Sequence, residues 1–172
     1  MKTKQEIIYV LIVYVAYQVT AKVPVVCQKS TLNAWKADLH HRFDEGGSWD
    51  CPASTCGGQC VALVKCECGA PYTGLWSPGQ NVAANCHAIQ PGTVIATFEG
   101  GTYHNRAIDH AAVFLGCTQH GFHVMEQGCE TAVRYSETTA ASSHYHKFSV
   151  VMTDQSHLNP AHHCSRRIHT GC

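Results

Sequence analysis

Eleven cysteines in 172 residues constrain this chain more than any other feature. They stand at Cys27, Cys51, Cys56, Cys60, Cys66, Cys68, Cys86, Cys117, Cys129, Cys164 and Cys172. Such a density reads as a disulfide framework in an exported chain and as metal or redox chemistry in a cytosolic one, so the N-terminus decides between them. Lys2 and Lys4 precede an apolar run over residues 7–17, and Val19, Thr20 and Ala21 follow as a small-residue cleavage pattern. The run is shorter than the roughly 20 residues a spanning helix needs. Residues 1–21 are therefore expected to be a signal peptide and residues 22–172 a single secreted, extracellular domain without stable membrane association. The odd count leaves one thiol over when the others pair within a monomer, which is the expected state. Which cysteines pair cannot be deduced from their order.

Charge narrows the partners. Lys plus Arg number 12 and Asp plus Glu number 12, which gives no electrostatic reason to expect nucleic acid. The chain has no Asn-x-Ser/Thr acceptor, so N-glycosylation is not expected. Residues 33–43 (NAWKADLHHRF) place Trp35, Leu39 and Phe43 at four-residue spacing, which predicts an amphipathic helix ended by Gly46 and Gly47. Residues 60–67 are apolar on nearly every face and stop at Gly69, Ala70 and Pro71, which predicts a short buried helix. Residues 76–79 (WSPG) and 90–92 (QPG) read as turns around a partly helical segment. Strands are expected at 93–98, 110–115, 122–127 and 147–152, the middle two forming a hairpin, with a polar, histidine-rich tail beyond Pro160. Helices first and an antiparallel sheet after them make an α+β domain.

The stretch CGGQCVALVK, residues 56–65, puts Cys60 just after Gly57 and Gly58 at the start of the buried helix. A helix N-terminus carries partial positive charge and unpaired N–H groups, both of which favour a thiolate and the oxyanion formed when it attacks a carbonyl. A nucleophile of this kind needs a base. Among thirteen histidines, His110 opens an apolar strand directly after a polar loop, where its ring can face a cleft. Pairing Gly116 with Gly121 would put His110 opposite Gln127, and a loop one residue longer would put it opposite Glu126. Either could orient the imidazole; Glu126 is favoured because a carboxylate also stabilises the imidazolium.

Together GGQCVALVK, the WSPG turn, PGTVIATF, HAAVFLG and VMEQ resemble the papain-like peptidoglycan amidases of the NlpC and CHAP type. Within these, the match is to group-two type VI secretion amidase effectors and their secreted eukaryotic descendants, the domesticated amidase effectors of ticks and mites. The resemblance covers roughly residues 35–130. It implies a nucleophile helix packed on an antiparallel sheet, with Cys60 as nucleophile, His110 as general base and Glu126 as orienting acid. It also implies cleavage of peptide crosslinks in bacterial peptidoglycan; no cofactor or metal is expected. The additional cysteines depart from the bacterial pattern.

Three other readings compete. Nothing matches the CGSCW-type signature of papain-like proteases, and lipid acyltransferases of the permuted fold place histidine before cysteine, the reverse of the order here. A non-enzymatic, disulfide-stapled binding or toxin-like module explains the cysteine count but leaves GGQC and HAAVFLG without a role. A zinc site is suggested by His144, His146, His162, His163 and Cys164, yet the paired spacing of structural zinc ligands is missing.

Overall fold

The computed structural model describes residues 21–37, 41–44, 59–128, 131–158 and 165–168. Apart from Ala21, the expected signal peptide lies outside them, as do Gly57, Gly58 and five of the cysteines. Three helices and nine strands are described: β1 (Lys22–Pro24), α1 (Lys29–Ala37), β2 (His41–Asp44), α2 (Gln59–Cys68), β3 (Ser77–Asn81), α3 (Val82–Asn85), β4 (Val94–Thr97), β5 (Ala111–Cys117), β6 (Gly121–Gly128), β7 (Thr131–Thr139), β8 (Phe148–Asp154) and β9 (Ser165–Ile168). The domain is α+β, as expected.

The main sheet is antiparallel and runs β1-β8-β4-β5-β6-β7, with β3 also paired to β8. Its inner strand β4 is buried along its whole length, which explains why VIAT contains no polar alternation except a threonine. One side carries α2. Val61, Ala62, Leu63 and Val64 are all 3% exposed or less and join Val94, Ala96, Ala111, Val113 and Met125 in one core. Two β-branched valines are weak helix formers, so burial, at roughly 1.5–3 kcal/mol per large apolar side chain, holds this helix in place. It stops where expected: Gly69 takes φ 66°, and the Ala70 N–H returns to the Val64 carbonyl. A second core contains Ile95, Ala112, Phe114, Phe122, Val124 and Phe148, covered by Val82 and Ile89.

Each core has a disulfide beside it. Cys27–Cys68 ties the chain before α1 to the end of α2, and Cys86–Cys117 ties the turn after α3 to the end of β5. Cys66 is bridged as well.

Several expectations are corrected. The single helix over residues 33–43 is instead α1, which begins at Lys29, followed by β2, because residues 41–44 pair with 165–168 in a separate two-stranded ribbon. The same pairing makes residues 165–168 of the histidine-rich tail a strand. Residues 77–79 of the WSPG turn belong to β3, where Pro78 sits beside a register shift, a place where a missing N–H is tolerated. β7 was not anticipated. The β5–β6 hairpin is present, but its register differs from both alternatives: Cys117 pairs with Phe122, and a bulge follows before Phe114 pairs with Val124.

Candidate active site

That register decides which residue can meet His110. Phe114 opposite Val124 and Val113 opposite Met125 carry forward to Ala112 opposite Glu126 and Ala111 opposite Gln127. His110 shares a face with Ala112 and is thus a diagonal neighbour of Glu126, while Gln127 is fully buried on the other face. Glu126 lies within reach not because it is opposite His110 but because it shares its parity. His110 Nε2 and Glu126 Oε2 are 2.6 Å apart.

The backbone of His110, one residue ahead of β5, is fixed by the end of β4. Its N–H donates to Thr97 Oγ1 at 2.9 Å, and its carbonyl accepts from the Thr97 N–H at 2.9 Å. The ring packs edge-on to Phe148, with centroids 6.2 Å apart, and lies 6.4 Å from the His144 ring. With Nε2 engaged by the carboxylate, Nδ1 is the nitrogen left for the nucleophile. The Cys60 thiol lies near enough to the His110 ring for the imidazole to act on its ionisation. The structure therefore brings together Cys60, His110 and Glu126, which are far apart in sequence. Among the described residues Cys60 is the free cysteine.

Glu126 is held from β7. Its Oε1 accepts from Ser136 Oγ at 2.8 Å and from Arg134 at 3.1 Å (Nε) and 3.0 Å (NH2). Those two donors occupy alternate positions of TAVRYSETT and so face the same way. Sequence reading missed both, although the Thr, Val and Tyr content of that segment signals a strand. It also missed Tyr103, whose hydroxyl oxygen lies 3.7 Å from Cys60 Sγ. A loop tyrosine carries no local signal of such a contact.

Electrostatics run in a consistent direction. Burial pushes the Cys60 thiol up, but the hydrogen bond and charge of His110, with smaller help from Tyr103 and the Ala111 backbone, bring it below its ordinary value. Burial pushes His110 down, and its bonds to Cys60 and Glu126 outweigh that and raise it to about 9. Burial would raise Glu126, yet His110, Ser136 and Arg134 hold it down at about 2. At neutral pH His110 is thus an imidazolium beside the Glu126 carboxylate, and both that charge and the partial positive charge of α2's N-terminal turn favour the thiolate form of Cys60. His144 goes the other way: burial and the charge on His110 lower it, so it stays neutral there. Such a site can attack an electrophilic carbon with sulfur and deliver a proton from the imidazole. Among the described residues no set of three or more His, Cys, Asp or Glu side chains converges to hold a metal ion.

Residues 30–149 match the domesticated amidase effector 2 family. The chain belongs to that family. A domesticated amidase effector 2 of Ixodes scapularis is 45% identical over 73 residues, spanning 40% of this chain and 49% of the relative. A type VI secretion amidase effector 2 protein of Salmonella typhi is 41% identical over 70 residues, spanning 40% of this chain and 52% of that protein. The chain thus spans about half the length of the curated relatives it matches. A solved structure of a type 6 secretion amidase effector 2 superposes with a TM-score of 0.49 at 26% identity, covering 73% of this chain and 96% of that one.

Proposed function

We propose that the protein is a secreted antibacterial amidase that hydrolyses peptide crosslinks of bacterial peptidoglycan by a thiol mechanism. The observation that carries the reading is the free Cys60 set near the His110 imidazole, whose Nε2 is fixed by Glu126. Membership of an amidase effector family supports an amide substrate.

In this reading the Cys60 thiolate attacks the carbonyl carbon of the crosslink amide, and the π pair moves to oxygen. As the tetrahedral intermediate collapses, the C–N bond breaks and the imidazolium of His110 gives its proton to the leaving nitrogen. A thioester remains on Cys60. Neutral His110 then takes a proton from water, whose oxygen attacks the thioester carbon, and the sulfur leaves as thiolate with the imidazolium restored. Glu126 keeps the ring oriented and stabilises its charge at both stages.

Muropeptide mass spectrometry of diaminopimelate-type and lysine-type walls, before and after digestion, tests the reading. Crosslinked dimers should convert to monomers with wild-type protein and stay intact with Cys60→Ala. Hydrolysis by folded Cys60→Ala protein would contradict it, and so would wild-type protein that leaves both wall types uncut.

A further inference from the structure

We propose that Tyr103 is a catalytic residue of this site: its hydroxyl donates to the Cys60 sulfur in the resting enzyme and to the oxyanion once Cys60 has attacked an amide carbonyl. The inference rests on the reading of Cys60 as a nucleophile, and adds to it a side chain that touches the reacting atom.

The Tyr103 ring belongs to an aromatic wall. It packs on Trp76 with centroids 5.1 Å apart and on Phe98 at 6.4 Å, and the residue is only 6% exposed. Trp76 is itself fixed, its Nε1–H donating to the buried Pro71 carbonyl at 2.9 Å. Phenylalanine would fill this wall equally well, and a phenol oxygen taken out of water is costly unless it meets a partner. The partner within reach is Cys60 Sγ, at 3.7 Å.

The loop that delivers Tyr103 is braced. Glu99 and Thr102 exchange backbone hydrogen bonds at 3.0 and 3.1 Å, and Arg106 ties Glu99 to Asp109, the residue before His110. Tyr103 and His110 therefore reach one sulfur from a single closed loop. Burial, and then the charge on Cys60, push the Tyr103 hydroxyl up from its ordinary value, so it remains an O–H donor wherever Cys60 is a thiolate. During attack the S–C bond forms and charge passes from sulfur to the carbonyl oxygen bonded to the same carbon. A donor already at the sulfur needs little movement to follow that charge, the condition under which a preorganised hydrogen bond accelerates acyl transfer. Tyr103 keeps its proton throughout; the proton for the leaving nitrogen comes from His110.

Tyr103→Phe is the test, since it keeps the ring and the wall. Loss of one oxyanion donor should lower kcat by about 10²-fold or more with KM little changed. In a second arm, the pH midpoint for iodoacetamide alkylation of Cys60 should move upward in Tyr103→Phe, because the thiolate has lost a donor. That arm needs no cell-wall substrate: if wild-type protein fails to cut peptidoglycan, the functional reading falls while the alkylation midpoint still decides Tyr103. An unchanged midpoint with unchanged kcat overturns the proposal. Tyr103→Leu controls for packing; activity lost only there, together with melting temperature, would make Tyr103 a wall residue and overturn it as well.

Discussion

The two cores of the domain differ in what they hold. The core under α2 is mainly aliphatic beneath the helix, includes the Trp76–Tyr103 wall, lies beside Cys27–Cys68 and carries Cys60; the core on the other side is built around Phe114, Phe122 and Phe148, has Cys86–Cys117 against it and supports the His110 ring on Phe148. The proposed nucleophile and its base therefore rest on separate packing units that meet at one end of the sheet. A disulfide beside each unit suits a small domain, because the pair is only as well aligned as the two cores are rigid. Glu126 and Tyr103 close the site from two further directions, Glu126 from β6 and Tyr103 from the loop before β5.

Separating the two halves at their junction should have the largest effect. His110→Ala should lower crosslink hydrolysis by about 10⁴-fold or more, since it removes the proton donor and the ion that sustains the thiolate. Steady-state rates on purified muropeptides measure this, with the melting temperature expected to stay near wild type. Next come changes inside each core. Phe148→Ala should cost about 3–5 kcal/mol and Leu63→Ala about 2–5 kcal/mol in denaturant unfolding, both side chains being essentially buried. Their functional signatures should differ: residual activity of Phe148→Ala protein should show a disturbed His110, seen as a changed alkaline limb, whereas Leu63→Ala should act through the sulfur. Identical signatures would mean the cores are one mechanical unit. The smallest effect belongs to Arg134→Ala. Its side chain is 57% exposed, so its pair with Glu126 is screened and should be worth no more than about 1 kcal/mol, a few-fold in kcat, because Ser136 and His110 still hold the carboxylate.

Local pattern made some of this legible and left the rest hidden. The buried helix at Cys60, its stop at Gly69 and strands β4, β5, β6 and β8 follow from runs of apolar or β-branched residues and from glycine, whose meaning is local. Strand β3 was hidden because SPGQN has turn composition and becomes a strand only through pairing with β8. The β2–β9 ribbon was hidden for the same reason, since HRFD and SRRI reveal nothing until brought together across more than a hundred residues. Strand β7 carried a readable signal in TAVRYSETT. The choice between Glu126 and Gln127 depended on a bulge near Gly116 that shifts the hairpin register, and no count of loop residues could supply it. Tyr103 acts across a loop whose closure depends on Arg106, a tertiary contact without a sequence period.

The central claim is that Cys60 and His110 form a thiolate–imidazolium pair, and the pH profile of Cys60 alkylation tests it most directly. The thiol is lowered and the imidazole raised to about 9, so the pair should lose its first proton mostly from sulfur and its second near pH 9. Going down in pH, hydrolysis should fail as the sulfur regains its proton; going up, it should fail through about pH 9 as His110 loses the proton it must give away. In wild-type protein the alkylation midpoint should therefore lie below that of an ordinary cysteine, and His110→Ala should move it well above, because burial then acts on the thiol without its counter-ion. A wild-type midpoint at or above the ordinary value, unmoved by His110→Ala, would contradict the account.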